Sequence, residues 1–157
     1  MKIQFISVGK AHDVSIKASI DDFTARIKKY FSIDWVIISA PKNAAAMSEA
    51  ELKKAEAASI IAQIAKDDYV VLLDEVGKQF SSPELANFIQ QRANESCKKI
   101  VFLVGGAFGV DKIVVQRANH IWCLSKLVFP HQIVRLILAE QIYRACSILR
   151  NEKYHHI

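Results

Sequence analysis

The stretch Ile100-Val101-Phe102-Leu103-Val104-Gly105-Gly106-Ala107-Phe108-Gly109 decides the fold class of this chain. Its first half is a continuous apolar run of strand-favouring residues, which is typical of a strand buried on both faces of a sheet. Its second half is a glycine-rich turn that leads into a helical pattern near Val110. Strands of this kind belong to parallel sheets with helical connections, so the stretch indicates an α/β protein.

Alternating strand and helix patterns extend on both sides of this stretch. The predicted strands are Ile3–Val8, Ile33–Ala40, Tyr69–Leu73, Ile100–Val104 and His120–Leu124. The predicted helices are Asp13–Phe31, Ser48–Lys66, Ser82–Ser96, Val110–Ala118 and Gln132–Leu149. Ser48 and Glu51 have the spacing of a capping box, and Ser82 is the predicted cap before Pro83. The pattern predicts one domain over residues 1–157, with a mainly parallel sheet flanked by helices.

The composition is that of an ordinary globular protein, with 52% apolar and 24% charged residues. No apolar run approaches the roughly 18 residues of a membrane span, and the N-terminal apolar stretch is too short for a signal peptide. We therefore expect a cytoplasmic protein with no membrane partner. Cys97, Cys123 and Cys146 lack metal-ligand spacing, so we expect reduced core thiols and no metal. The net charge of +5 permits an anionic partner such as RNA but does not demand one.

The last helix is apolar on more than one side. Its few polar residues include Arg135, which points away from the pair Glu140 and Arg144. The pair is four residues apart, which favours an ion pair on the helix surface. A helix with so narrow a polar face should be buried on two sides, by its own sheet and by another element. We expect that other element to be a second copy of the chain.

Three predicted strands end in unusual loops: Leu73–Lys78, Gly105–Gly109 and Leu124–His131. Ligands of open α/β sheets bind beyond the carboxyl ends of the strands, so these loops predict one pocket. The glycine turn does not match the dinucleotide fingerprint G-x-G-x-x-G and lacks the lysine of a phosphate-binding P-loop. Asp74 and Glu75 are candidates for a base or a ribose-binding acid, and equally for a solvated loop pair.

His131 and Arg135 lie one helical turn apart on the same face, where they could act together on an anion. A structural hydrogen bond is the other interpretation of His131. The tail carries Tyr154, His155 and His156, and His155 could titrate near neutrality.

Taken in order, these segments resemble the RlmH (YbeA-like) family of ribosomal RNA large-subunit methyltransferases, a branch of the SPOUT class. The resemblance covers essentially the whole chain. The matching segments are Lys2–Lys10, Leu73-Asp74, Gly77-Lys78, Ser81–Ala86, Phe102–Gly109, Leu124–Leu127, Phe129–Gln132, Arg135, Glu140–Ala145 and Tyr154-His155. No single segment is specific, but the combination is.

The resemblance implies a C-terminal trefoil knot, the SPOUT methyltransferase fold, and a homodimer. It implies S-adenosylmethionine as cofactor and methylation of N3 of a pseudouridine, position 1915, in helix 69 of 23S ribosomal RNA within the assembled ribosome. Carried over, the cofactor contacts fall on Leu73, Gly105, Gly106 and the segment Leu124, Ser125, Lys126, Leu127, Val128 and Phe129. Arg135 would stabilise the N3 anion. Tyr154 and His155 would reach the partner's site to hold the base, with His155 the first candidate for a general base.

Two positions depart from the family pattern. Val128 stands where the family usually carries threonine, and His156 stands where a basic residue often follows the first histidine. Two other functions remain open from the residues. A Rossmann oxidoreductase is one, although the dinucleotide fingerprint is missing. A non-catalytic ribosome-binding factor on a degenerate methyltransferase fold is the other, with Val128 its only support.

Overall fold

Strands and helices alternate in the computed structural model, which describes residues 1–155. The strands are β1 (Lys2–Val8), β2 (Ser32–Ile38), β3 (Tyr69–Lys78), β4 (Lys99–Val104) and β5 (His120–Trp122). The helices are α1 (Val14–Ile27), α2 (Glu49–Ala62), α3 (Ser82–Asn94), α4 (Lys112–Arg117) and α5 (His131–Leu149). His156, singled out in the tail, lies outside the described residues together with Ile157.

The five strands form one sheet in the order β2-β1-β4-β3-β5, and every neighbouring pair is parallel. The α/β prediction with a parallel sheet is therefore confirmed. Because β3, β4 and β5 lie side by side, the loops that follow them meet at one edge of the sheet. No helix among residues 1–155 is long and apolar enough to cross a membrane.

The core has two halves, one on each face of the sheet. Alternate residues of each strand point to opposite faces, so Ile100 and Phe102 of β4 join one half while Val101 and Leu103 join the other. Helices α1, α3 and α5 cover the first face, and α2 and α4 cover the second. The continuous apolar run of β4 thus reflects burial on both sides.

Two predicted boundaries were wrong in instructive ways. The cap of α3 is Ser81 rather than Ser82, because the Ser81 side chain accepts from the Glu84 backbone and Glu84 accepts in return from the Ser81 backbone. Strand β3 continues to Lys78 instead of ending at Leu73. After an irregularity it pairs again with Trp122 of β5, which is possible because Gly77 approaches the Ile121 carbonyl more closely than a Cβ would permit.

The apolar character of α5 has an explanation within the chain. This helix contacts both α1 and α3, and its residues Leu138, Ala139 and Ile142 are fully buried in the first half of the core. The neighbouring helices thus bury part of the apolar surface that we assigned to a second copy, while Ile133 of α5 stays 37% exposed. A homodimer remains a prediction that rests on the family resemblance.

Candidate functional site

A cavity of about 430 Å³ opens at the carboxyl ends of β3, β4 and β5. The three loops predicted to form one pocket all line it. The lining residues are Leu73, Asp74, Glu75, Val104, Gly105, Gly106, Ala107, Phe108, Gly109, Val110, Trp122, Leu124, Ser125, Leu127, Val128, Phe129, His131 and Val134. The volume falls in the range of small-molecule and cofactor sites.

The glycine turn lines this cavity, and neighbouring side chains leave little room for a Cβ at Gly105 and Gly106. A Cβ on Gly105 would lie 2.7 Å from Cγ1 of Val110, and a Cβ on Gly106 would lie 2.7 Å from Oε2 of Glu56. Gly109 has φ +79, a conformation that glycine adopts without strain, and forms a bridge back to Gly106. The turn therefore presents backbone to a ligand at its glycines, and the side chain of Phe108 between them.

The segment Leu124 to Phe129 also lines the cavity, except at Lys126, and is held by local hydrogen bonds. The Ser125 hydroxyl accepts from the Leu127 backbone at 3.0 Å, and the Cys123 thiol donates to the Ser125 carbonyl at 3.0 Å. Of the residues predicted to bind cofactor, only Lys126 does not line the cavity; its side chain is exposed. Val128 is 83% exposed at the mouth, so a hydroxyl at this position would face solvent.

Asp74 and Glu75 lie within β3, in its irregular part between Leu73 and Lys78, and both line the cavity. Asp74 is half-buried and accepts a hydrogen bond from the Val76 backbone at 3.1 Å, which fixes the turn. Glu75 is exposed. Asp74 is thus placed to accept a hydrogen bond from a ligand hydroxyl. From the sequence alone, a solvated pair of acids was an equally open interpretation of Asp74 and Glu75.

Arg135 lies beneath the site and does not line the cavity. Its side chain is only 1% exposed. Nε donates to Oγ of Ser7 at 2.7 Å and Nη1 to the Lys10 carbonyl at 2.8 Å, with Nδ1 of His12 3.4 Å from Nη1. The guanidinium thereby ties α5 to the loop after β1.

The positive charge of Arg135 nevertheless affects His131, a residue that lines the cavity. Burial lowers the pKa of His131, and the nearby Arg135 guanidinium lowers it further. His131 lines the cavity, so its imidazole is mostly uncharged at neutral pH and can accept a hydrogen bond there. Arg135 therefore acts on His131 through its charge, by lowering the pKa of the imidazole.

The sequence did not single out the loop that Arg135 holds. Gln132 completes the attachment, since its amide donates to the Ala11 carbonyl at 3.0 Å and accepts from the Asp13 backbone at 3.1 Å. His12 packs edge-on against Trp35. Burial lowers the pKa of His12, and Arg135 lowers it further. The polar Gln132 and Arg135, three residues apart on an apolar helix, were the signal that could have indicated this contact.

The tail follows α5 and packs back against it. The Tyr154 hydroxyl donates to Oε1 of Glu140 at 3.0 Å, and its ring packs against Tyr143. Glu140 also accepts from Nε of Arg144 at 3.0 Å, so the predicted ion pair is present. Glu140 lies at the middle of α5, six residues after Val134, which lines the cavity, or about 9 Å at 1.5 Å per residue. Within one chain, Tyr154 thus packs beside the middle of α5 and forms its hydrogen bond outside the cavity lining.

His155 is half-buried, and its Nδ1 has no hydrogen-bond partner among the described residues. The structure does not bring Arg135, Tyr154 and His155 together within one chain, and their catalytic roles stay predictions. No cluster of three or more metal-ligating side chains occurs in residues 1–155.

Comparison with known proteins agrees with the fold and covers the full length. A family model described as predicted SPOUT methyltransferase matches residues 1–155. Proteins named ribosomal RNA large subunit methyltransferase H from Cytophaga hutchinsonii and Christiangramia forsetii are 40% and 39% identical over 99% of this chain. The matches span 100% and 99% of those two proteins.

Among solved structures, a probable methyltransferase from Bordetella pertussis Tohama I has the same fold. Its TM-score is 0.54 at 13% identity, covering 92% of this chain and 96% of that one. The full-length family match and these relatives together show that the chain belongs to the SPOUT methyltransferase family, in the branch of the ribosomal RNA large subunit methyltransferase H proteins.

Proposed function

We propose that this protein is an S-adenosylmethionine-dependent methyltransferase that modifies N3 of the helix 69 pseudouridine of 23S ribosomal RNA in the assembled ribosome. The observation that carries the proposal is the cavity at the ends of β3, β4 and β5, lined by the loops that match the family. The names of the relatives support ribosomal RNA as the substrate class. Such a substrate would place the protein in the cytoplasm.

The residues of the cavity fit S-adenosylmethionine. Gly105 and Gly106 let a ligand approach the backbone closely, as a nucleoside requires. Trp122, Leu124 and Phe129 offer apolar surface to an adenine ring, and Asp74 offers an acceptor to a ribose hydroxyl. When bound, the cofactor supplies a methyl group on a positively charged sulfur.

The chain then has to position the acceptor and help N3 lose its proton. Positioning alone accounts for a large part of such a rate enhancement. The positive field of Arg135, which already lowers the pKa of His131, would favour the anionic form of the base at this side of the cavity. The uncharged imidazole of His131 can hydrogen-bond the base there.

We infer a homodimer in which the tail of one chain completes the site of the other, with the knot that the family implies. The position of Tyr154 supports this, because among the described residues of one chain it hydrogen-bonds Glu140 of α5, which does not line the cavity. The exposed apolar side chains of Phe108, Leu127 and Val128 at the cavity mouth supply surface that a second subunit could cover.

The test is methyl transfer from tritiated S-adenosylmethionine to ribosomes that lack the modification, compared with free 23S RNA and separated subunits. Label on assembled ribosomes, mapped to helix 69, is the expected result. Bound cofactor without label on any RNA would refute the catalytic proposal and favour a non-catalytic ribosome-binding factor. A binding screen that finds nicotinamide cofactors and no S-adenosylmethionine would favour an oxidoreductase.

A further inference from the structure

Glu56 on α2 is a buried carboxylate that contacts the back of the glycine turn. Its residue is only 8% exposed. Measured from the Cβ position of Gly106, its two oxygens lie at 2.7 Å and 3.1 Å. Gly106 itself lines the cavity, so one residue of backbone separates the carboxylate from the site.

No charged group compensates this carboxylate in the part of the chain that the structure describes. On its own helix, Lys53 pairs with Glu49 instead. On α4, which packs against α2, Asp111 caps the helix by accepting from the Ile113 backbone, and Lys112 is exposed. Burial alone raises the pKa of Glu56, with no hydrogen bond or charge opposing that shift.

Although the residue is largely buried, the Glu56 oxygens are not among the solvent-excluded side-chain atoms that lack a hydrogen-bond partner in residues 1–155, so the carboxylate can keep its charge. The packing of α2 does not need the charge, because Ala57 and Ile60 already bury this face of the helix. The cavity is close to the charge, since Gly106 both lines the cavity and contacts the carboxylate.

We propose that Glu56 is a specificity-determining residue whose negative charge, held behind Gly106, favours a cationic sulfonium ligand over the neutral product in the cavity. This inference rests on the proposed function, since it assumes S-adenosylmethionine as the ligand. S-adenosylhomocysteine differs from it by one methyl group and the positive charge. Glu56 thus strengthens binding before methyl transfer and has no such effect afterwards.

The expected size of the effect follows from distance. A ligand atom in contact with the cavity side of Gly106 would lie within about 8 Å of the Glu56 carboxylate. At an effective dielectric constant of about 20, removing the charge at that distance should weaken binding of a cation roughly thirtyfold. Binding of a neutral ligand of the same shape should barely change.

The experiment is calorimetric titration of the full chain with S-adenosylmethionine and, separately, with S-adenosylhomocysteine. Glu56→Gln keeps the shape and removes the charge. Glu49→Gln, an exposed change seven residues earlier on the same helix, is the matched control. Glu56→Met provides a second neutral variant of similar size should the glutamine variant fold poorly.

We expect Glu56→Gln to bind S-adenosylmethionine roughly thirtyfold more weakly and to bind S-adenosylhomocysteine with almost unchanged affinity. Equal losses for both ligands would overturn the inference, because they would mean that Glu56 only shapes the turn. Unchanged affinity for both would overturn it as well. A wild-type chain that binds neither ligand would refute the proposed function, and the inference with it.

Discussion

Replacing Arg135 with methionine should destabilise the fold because this buried guanidinium joins α5 to the loop after β1. Its two short hydrogen bonds, to Ser7 and to the Lys10 carbonyl, are charge-assisted and contribute about 1.5–3 kcal/mol each. Relief of the buried charge offsets part of that sum, and we expect a net loss of about 3 kcal/mol. For a domain of this size the melting temperature should fall by about 6–12 °C.

Circular dichroism melts of wild type and Arg135→Met measure this shift, with urea unfolding as a second determination. Arg150→Met is the control, since Arg150 is exposed just beyond the end of the same helix and should change stability by less than about 0.5 kcal/mol. A melting temperature within about 2 °C of wild type would refute the reasoning, because it would show that the hydrogen bonds only balance the cost of burying the charge.

Three further outcomes are expected. Gly106→Ala should lower the free energy of unfolding, measured in urea, by about 1–3 kcal/mol, and adding Glu56→Ala should recover much of that loss. If Gly106→Ala costs the same in wild type and in Glu56→Ala, the two positions do not interact. The pKa of His12 is lowered in the fold, so stability should fall as pH drops below about 6.5 and through the folded pKa. In His12→Gln that loss should be smaller in melts at several pH values, and an identical pH profile would exclude a contribution from His12. Deleting residues 154–157 should leave cofactor affinity unchanged in calorimetry but impair methyl transfer to ribosomes, and unchanged transfer would mean that the tail only packs on α5.

The sequence predicted the order and type of the elements because the local signals agreed with the tertiary structure. The apolar run Ile100–Val104 is buried on both faces, and the Ser48–Glu51 capping box begins α2 as predicted. The boundaries that failed depended on contacts with distant residues. Strand β3 extends because Gly77 admits the β5 backbone, a feature that no periodicity within β3 reveals.

The candidate site was predictable only where the chemistry lies in the loops themselves. The three loops converge because their strands are neighbours, and parallel strands place such loops at one edge. The contacts behind the residues that line the cavity were not predictable from the sequence. Glu56 is one of three acids in a helix with an ordinary pattern, and only the packing of α2 against Gly106 gives it significance. Arg135 was found, but its partners Ser7 and Lys10 lie more than a hundred residues away in the chain.

The two buried charges next to the cavity lie on opposite faces of the sheet. Arg135 belongs to α5, on the face covered by α1 and α3, and Glu56 belongs to α2, on the other face. No residue of opposite charge forms an ion pair with either within residues 1–155. In the proposed reaction the methyl donor is a cation and the deprotonated base an anion, so these charges favour the bound reactants. Methyl transfer neutralises both reactants, and the same two side chains then hold the products less tightly, which aids their release.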